Sequence, residues 1–240
     1  MGRPGSGLGT ATLLPEAGRA AAEWGSGGLA AIWAEENTRE SLFRAIRRRE
    51  TFATSGTRIR VRFFAGRALP DDLFDRSDGI RFAYRTDATM GGALTERHEE
   101  SPAFAVWAVK DPLAANLDRI RIVKLWVDEE GRPKDKLFDV AASDGRSADP
   151  KTGRVGRLAS TVDVANASYS NTVGANELSA VWRDPEWDPS RPSRYYARVL
   201  EIETPRWTTY DAKRLGVAAP EPSTLQERAV TSAIAYRPGD

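Results

Sequence analysis

The sequence contains no cysteine and only a single histidine, His98. The absence of cysteine excludes disulfide bonds and thiol catalysis, but it leaves the cellular compartment undetermined. One histidine cannot supply the several ligands that zinc sites commonly use, and histidine is also the usual general base at neutral pH. His98 stands in a polar stretch, which indicates a surface residue. We therefore assign no catalytic residue, no metal ligand and no cofactor to this chain.

The sequence also lacks an excess of charge of one sign and lacks long apolar runs. Its formal net charge is +1, so no global field attracts it to nucleic acid. No apolar run approaches the ~20 residues of a membrane-spanning helix. We expect neither nucleic acid nor a membrane as a partner. Residues 1–28 are rich in glycine and alanine but include charged side chains, which is typical of a flexible leader and not of a signal peptide.

One helix is predicted close to the start of the remaining chain. Asn37 is a good N-cap, and Glu40 follows three residues later, which is the spacing of a capping box. Arginines fill the last turns, where cations oppose the helix dipole. We expect this helix to end near Glu50. Its apolar stripe consists of Leu42, Phe43 and Ile46.

The rest of the sequence has the pattern of strands. From Arg58 onward charged and apolar residues alternate, as in a strand with one wet and one buried face. Gly131 marks the turn of a hairpin. Many short strands without helical periodicity between them indicate a mainly β fold, an antiparallel β-sandwich. The further predicted strands are 80–84, 103–109, 120–127, 137–142, 180–182 and 195–202.

Residues at the start of the predicted helix form a first candidate ligand-binding group. Glu35 and Glu36 are adjacent carboxylates, and Arg39 follows them. Paired carboxylates suit acid–base chemistry or metal coordination. Acidic residues also stabilise the positive end of a helix dipole. The second interpretation is favoured, because no nearby histidine or aspartate completes a site.

A second candidate group lies in the segment 204–211. Its side chains supply a cation, aromatic faces and an acceptor, which suits recognition of an anionic or aromatic ligand. The same mixture suits a loop that packs at a domain interface, and we favour that interpretation because tryptophan and tyrosine are common anchors there. The residues of this group are Arg206, Trp207, Tyr210 and Asp211.

Six segments in order resemble the C-terminal part of the domain of unknown function 3604 family. The resemblance runs from about residue 28 to residue 236, and no single segment is diagnostic. The segments are 33–40 (WAEENTRE), 51–56 (TFATSG), 171–175 (NTVGA), 177–182 (ELSAVW), 204–211 (TPRWTTYD) and 226–229 (QERA).

The resemblance implies that this chain is the C-terminal fragment of a longer parent protein. The family resembles polymerase-and-histidinol-phosphatase metallohydrolases of the carbaryl-hydrolase type, in which an α/β barrel with histidine-rich motifs holds divalent metals. Those motifs would lie upstream, so no metal ligand is carried over to this sequence. After the leader 1–28, residues 29–56 would be the last strand–helix unit of a truncated barrel, and 57–240 the β-sandwich. A secreted or periplasmic parent is one expectation for the location.

Two functional hypotheses from different classes follow. The first is a non-catalytic β domain that packs on the missing barrel or shapes its substrate entrance. Without the barrel, the apolar stripe of the helix would be exposed, and we then expect self-association. The alternative is a stand-alone binding module for a carbohydrate or another small ligand, which a row of exposed aromatic residues would favour. Three tryptophans lie among apolar neighbours in predicted strands, which favours the first hypothesis: Trp107, Trp126 and Trp182.

Overall fold

The computed structural model describes Gly25, residues 27–97 and residues 99–239. His98 and most of the predicted leader lie outside the described residues. The described part is mainly β, and its three helices are α1 (Arg39–Arg48), α2 (Gly79–Ala83) and α3 (Trp207–Leu215). Its strands are β1 (Leu29–Ile32), β2 (Thr51–Thr54), β3 (Arg60–Gly66), β4 (Ala88–Thr89), β5 (Ala93–Leu94), β6 (Ala103–Val109), β7 (Leu117–Val127), β8 (Pro133–Ala142), β9 (Glu177–Arg183), β10 (Ser193–Glu201), β11 (Thr204–Pro205), β12 (Thr224–Leu225), β13 (Arg228–Thr231) and β14 (Ile234–Tyr236).

Two sheets form the predicted antiparallel β-sandwich. In the larger, eight-stranded sheet the central strand β10 pairs with β7 along one edge and with β13 and β14 along the other. The chain continues this sheet from β13 to β2 and β1, from β7 to β8, and from β14 to β5. The smaller sheet has the strand order β4–β3–β6–β9. Within the described residues only β14 and β5 pair in parallel in these sheets, so the expected fold class is confirmed.

The apolar core lies between the two sheets. Because side chains alternate along a strand, every second residue of β10 faces the core, and Tyr195, Ala197 and Val199 are all fully buried. Phe104 of the smaller sheet packs against them, with its ring centroid 4.3 Å from that of Tyr195. Each fully buried large apolar side chain contributes roughly 1.5–3 kcal/mol. The period of two in the sequence is thus the pattern from which the sandwich is built.

Most of the predicted strands are present. The strand predicted from Arg58 begins at Arg60 as β3, and the hairpin predicted at Gly131 joins β7 to β8. Gly131 has a φ of 78°, a conformation that favours glycine. The strands predicted at 103–109, 120–127, 137–142, 180–182 and 195–202 correspond to β6, β7, β8, β9 and β10.

The prediction of a strand at 80–84 is wrong, because these residues belong to the short helix α2. The backbone N–H of Phe82 donates to the carbonyl of Asp78 at 2.8 Å, which is a helical hydrogen bond. Gly79 is required at its start, since a Cβ there would lie only 1.9 Å from the carbonyl oxygen of Leu73. The apolar residues of this run pack on a second small cluster outside the main core. Packing therefore overrode the alternating pattern in the sequence.

Helix α1 confirms the predicted helix but not its predicted cap. The N-cap is Thr38 instead of Asn37, because the Thr38 hydroxyl accepts a hydrogen bond from the backbone N–H of Ser41 at 3.3 Å. The helix ends at Arg48, and Arg49 follows in the left-handed region with a φ of 58°. The predicted end near Glu50 is therefore close to the observed one.

The strands on either side of α1 belong to the larger sheet. Strand β1 pairs with β2, and β2 pairs with β13. Phe52 of β2 is part of the main core. Residues 29–56 are thus integrated into the sandwich, and their assignment to a truncated barrel stays a prediction from the resemblance.

A buried group of charges connects the two sheets. Asp184 follows β9 of the smaller sheet, and its Oδ2 accepts hydrogen bonds from Lys124 Nζ at 2.5 Å and from the Tyr195 hydroxyl at 2.7 Å. Lys124 and Tyr195 are cross-strand partners in the larger sheet. The Asp184 side chain has no exposed surface, and that of Lys124 is 5% exposed. Burial and the Asp184 carboxylate both raise the pKa of Tyr195, so its hydroxyl remains a donor.

Candidate functional site

A cleft of about 460 Å³ opens where β10 and β13 meet the segment that leads into α3. Cavities of this size suit small ligands. We call it the Glu201 cleft, after the last residue of β10. Its polar and aromatic lining includes Ser55, Thr57, Tyr169, Glu201, Arg206, Trp207, Tyr210, Glu227 and Arg228.

Glu201 is the unusual residue of this cleft. It is in phase with Tyr195, Ala197 and Val199 along β10, and the pairing of β10 with β7 shifts register between Leu200 and Glu201. The residue is fully buried, and among the described residues neither of its carboxyl oxygens has a hydrogen-bond partner of normal geometry. Buried polar groups in proteins are nearly always hydrogen-bonded, and one that is not requires an explanation.

The surroundings of Glu201 favour its neutral form. Burial raises the pKa of Glu201 to about 7; the neighbouring Thr57 hydroxyl opposes the rise, whereas the carboxylates of Glu227 and Asp111 add to it. Lys110 also opposes it, but its Nζ donates to the side chain of Asn116 at 2.8 Å. The Thr57 hydroxyl is itself buried, and it makes no hydrogen bond of normal geometry to the residues that the structure describes. The Thr57 hydroxyl is therefore close enough to Glu201 to oppose the rise, but the pair makes no hydrogen bond of normal geometry.

Aromatic rings form another part of the lining. Trp207 and Tyr210 lie in the first turn of α3 and are 37% and 38% exposed, and Tyr169 is half-buried. Burial raises the pKa of Tyr169, with smaller contributions from Tyr210 and Glu201. These rings provide flat apolar surfaces beside the buried carboxyl group.

The start of α3 is fixed by the ribbon of β11 and β12. The backbone N–H of Arg206 donates to the carbonyl of Ser223 at 2.9 Å, and the Thr209 hydroxyl donates to the same carbonyl at 2.6 Å. The segment 204–211, considered above as a loop, is therefore a short strand followed by a helix. Pro205 occupies the ribbon, where it pairs with Thr224.

The remaining polar groups of the cleft are mostly engaged with one another. The hydroxyl of Ser55 donates to Glu227, and the backbone N–H of Arg228 donates to the Ser55 oxygen at 2.8 Å. Arg206 is buried to all but 9% of its surface, whereas Arg228 is exposed. The cleft thus combines two carboxylates, two guanidinium groups and aromatic rings.

The structure brings together three of the seven residues that we singled out as ligand-binding. Arg206, Trp207 and Tyr210 all line the Glu201 cleft. Asp211 does not line it and lies 3.8 Å from Arg214 in a partly exposed ion pair. The group of Glu35, Glu36 and Arg39 is exposed and lies outside the cleft.

Sequence reasoning missed the central residue of the site. Glu201 lies within the strand predicted at 195–202, and its position in the inward register of that strand was the available signal. The three tryptophans expected in the core are each half-buried: Trp107, Trp126 and Trp182.

A second surface feature lies on α1. Phe43 and Ile46 are 58% and 50% exposed, and Leu42 beside them is half-buried. The guanidinium carbon of Arg47 lies 5.9 Å from the centre of the Phe43 ring. The apolar stripe predicted for this helix is therefore only partly covered by the described part of the chain.

Two further observations concern metals and membranes. Among the described residues, no three histidine, aspartate or glutamate side chains are grouped so that they could hold a metal ion. None of the helices in residues 27–97 and 99–239 is long and apolar enough to cross a membrane.

Comparison with protein families identifies the chain. The model of a family described as a protein of unknown function (DUF3604) matches residues 9–238, which is nearly the whole sequence. Searches of curated proteins and of solved structures gave no match. The resemblance seen in the six segments thus extends along the chain, which belongs to the DUF3604 family.

Proposed function

We propose that this chain is a non-catalytic β domain that binds a small ligand in the Glu201 cleft. The observation that carries the proposal is the buried carboxyl group of Glu201, for which the described part of the chain provides no hydrogen bond of normal geometry. A buried group without a partner costs roughly 1–3 kcal/mol. A ligand that donates hydrogen bonds to this carboxyl group would remove the cost. Binding of such a ligand would therefore stabilise the folded protein.

The size and composition of the cleft support this proposal. Small-molecule sites are concave, largely apolar and contain a few convergent polar groups. Trp207, Tyr210 and Tyr169 supply ring surfaces, and Glu201 supplies a buried carboxyl group to which the described residues donate no hydrogen bond of normal geometry. Exposed aromatic residues on one face would favour the binding-module hypothesis, and the 37% and 38% exposure of Trp207 and Tyr210 in the first turn of α3 supports it.

Ligand binding is tested with a panel of small molecules that spans monosaccharides, organic amines, alcohols and carboxylates. We expect at least one class to raise the melting temperature and to change the tryptophan fluorescence. Trp207→Ala should weaken binding by at least about tenfold, because an aromatic contact surface of the ligand is lost. Trp107→Ala, which removes a half-buried indole outside the cleft, is the matched control and should leave binding unchanged. Failure of every class to bind would contradict the proposal.

We also propose a docking role for the face of α1 that carries Phe43 and Ile46. Their exposure is the specific observation in its favour. The occupant that the resemblance suggests is the barrel domain of a longer parent protein, on which this β domain would pack or whose entrance it would shape. In the absence of that domain, a second copy of the chain would cover the face.

Self-association of the isolated chain tests this docking role. Sedimentation velocity over a range of concentrations should reveal reversible association of the wild type, and Phe43→Ser combined with Ile46→Ser should abolish it, since the exposed apolar area is removed. Leu215→Ser is the control, because Leu215 is 74% exposed at the end of α3. A wild type that stays monomeric while α1 is protected from hydrogen exchange would argue against the role.

The finer family assignment is also a proposal. The six segments support a parent protein of the polymerase-and-histidinol-phosphatase type, in which an upstream barrel would hold divalent metals and perform hydrolysis. Expression of the genomic reading frame together with its upstream sequence tests this idea. Metal-dependent hydrolysis by the longer protein is expected, and an upstream sequence without histidine-rich motifs would contradict it.

A further inference from the structure

We infer that the ligand of the Glu201 cleft carries a protonated amine on an aromatic or other apolar body, and that Glu201 binds the ammonium group. This inference rests on the proposed function and specifies its ligand class. It is drawn from a buried carboxyl group that lacks a hydrogen bond of normal geometry within residues 27–97 and 99–239, and that lines the same cleft as three aromatic rings. An ammonium group supplies several N–H donors and a positive charge at one point, which matches an acceptor-only carboxylate.

The charges around Glu201 favour a cation. The carboxylates of Glu227 and Asp111 act on it with the same sign as its own charge, and the opposing ammonium group of Lys110 is held by Asn116. The two arginines of the cleft are not among the groups that act most strongly on Glu201. A positive group bound at Glu201 would therefore gain from several carboxylates at once, whereas an anion would be repelled.

The aromatic lining favours the same class of ligand. Trp207, Tyr210 and Tyr169 have electron-rich ring faces that attract cations and also pack against apolar or aromatic bodies. Arg206 and Arg228 lie in the same lining. Neither guanidinium group is among the groups that act most strongly on Glu201, so the preference for a cation at that carboxyl group remains.

Proton release is a distinctive consequence of ammonium binding. Because the pKa of Glu201 is raised to about 7 mainly by burial, a part of the carboxyl groups is protonated at neutral pH. An ammonium group stabilises the charged form, so it displaces that proton on binding. As the pH rises toward ~7, the affinity for an amine should therefore increase by up to about tenfold per pH unit. Above that pH the affinity should level off. A neutral ligand that accepts the carboxyl proton would show the opposite trend.

The test compares benzylamine with its neutral analogue benzyl alcohol by isothermal titration calorimetry between pH 5.5 and 8.5. We expect benzylamine to bind at least about tenfold more tightly than benzyl alcohol at pH 8, with proton release in buffers of different ionisation enthalpy. Glu201→Gln keeps the shape of the side chain and should remove both the preference for the amine and the proton release. Glu203→Gln is the matched control, because Glu203 lies two residues away, outside the cleft, and pairs with Arg157.

The outcomes separate this inference from the proposed function. The ammonium assignment would be overturned if benzyl alcohol and benzylamine bound equally well, or if Glu201→Gln bound the amine as the wild type does. Either result would still support the proposal that the cleft binds a small ligand. Absence of benzylamine binding would also overturn it, and the wider ligand panel then decides whether the cleft binds another class. Proton release is measured on the wild type, so the inference can be tested even where a variant folds poorly.

Discussion

Asp184→Ala is expected to lower the free energy of unfolding by about 3–5 kcal/mol, which is the typical cost of removing one partner of a buried ion pair. The substitution leaves the Lys124 ammonium group, 5% exposed, without its carboxylate. It also removes the acceptor of the fully buried Tyr195 hydroxyl. Urea denaturation followed by tryptophan fluorescence measures the effect. The slope of the unfolding free energy against urea concentration should be the same in both proteins, so that the shift of the midpoint reports stability alone.

A double-mutant cycle with Lys124→Met distinguishes the lost ion pair from lost packing. Without the lysine, Asp184→Ala no longer leaves a buried cation without its carboxylate. The loss of unfolding free energy should then be clearly smaller than in the wild type. Lys124 retains the carbonyl of Glu186 as an acceptor at 2.6 Å, which limits the penalty to the lower part of the range. Asp188→Ala provides a control on the same loop, because that side chain is 31% exposed and pairs with Arg191. Strict additivity of the two substitutions would contradict the role of Asp184 as a charge partner.

The elements that were predictable from the sequence are those with one buried face along several residues. In strand β10, Tyr195, Ala197 and Val199 lie in the main core and alternate with less buried residues, which is the period of two that hydrophobic burial imposes. The short helix α2 was misassigned because its residues alternate as in a strand, whereas in the structure they pack as a helix on the second apolar cluster. The pattern of residues 80–84 alone holds no information about Ala103 and Ala105, which belong to the same cluster.

The start of α3 illustrates a different limit. Trp207 and Tyr210 were recognised as suited to ligand contact by residue type, but the hydrogen bonds that place them join the segment to Ser223, far along the chain. Glu201 could have been suspected from its inward register, yet nothing in the sequence reveals that both of its oxygens lack partners. That property depends on residues from several elements and emerges only from the folded chain.

Glu201→Gln is expected to make the protein more stable than the wild type at alkaline pH and to remove a pH dependence of about 3 kcal/mol. Burial, with the Glu227 and Asp111 carboxylates, raises the pKa of Glu201 from 4.5 to about 7 in the folded state. The folded protein thus binds a proton that the unfolded chain releases between these values. Glutamine is similar in shape and does not titrate, so it isolates this contribution.

The sign of the effect follows from that difference in proton binding. The contribution of protonated Glu201 to stability is fully present below pH ~4.5 and is lost as the pH rises through about 7, so the advantage of the Gln variant should grow across this window. Asp144→Asn is a control of opposite sign, because hydrogen bonds from Ser143 and from the backbone N–H of Gly174 lower the pKa of Asp144. Its wild-type side chain contributes stability above its unfolded pKa and loses that contribution in acid. Urea titrations of the three proteins between pH 4 and pH 8.5 measure both trends. A constant difference between wild type and Glu201→Gln would mean that Glu201 stays ionised and solvated in the folded protein, which would also remove the reason for a ligand at that position.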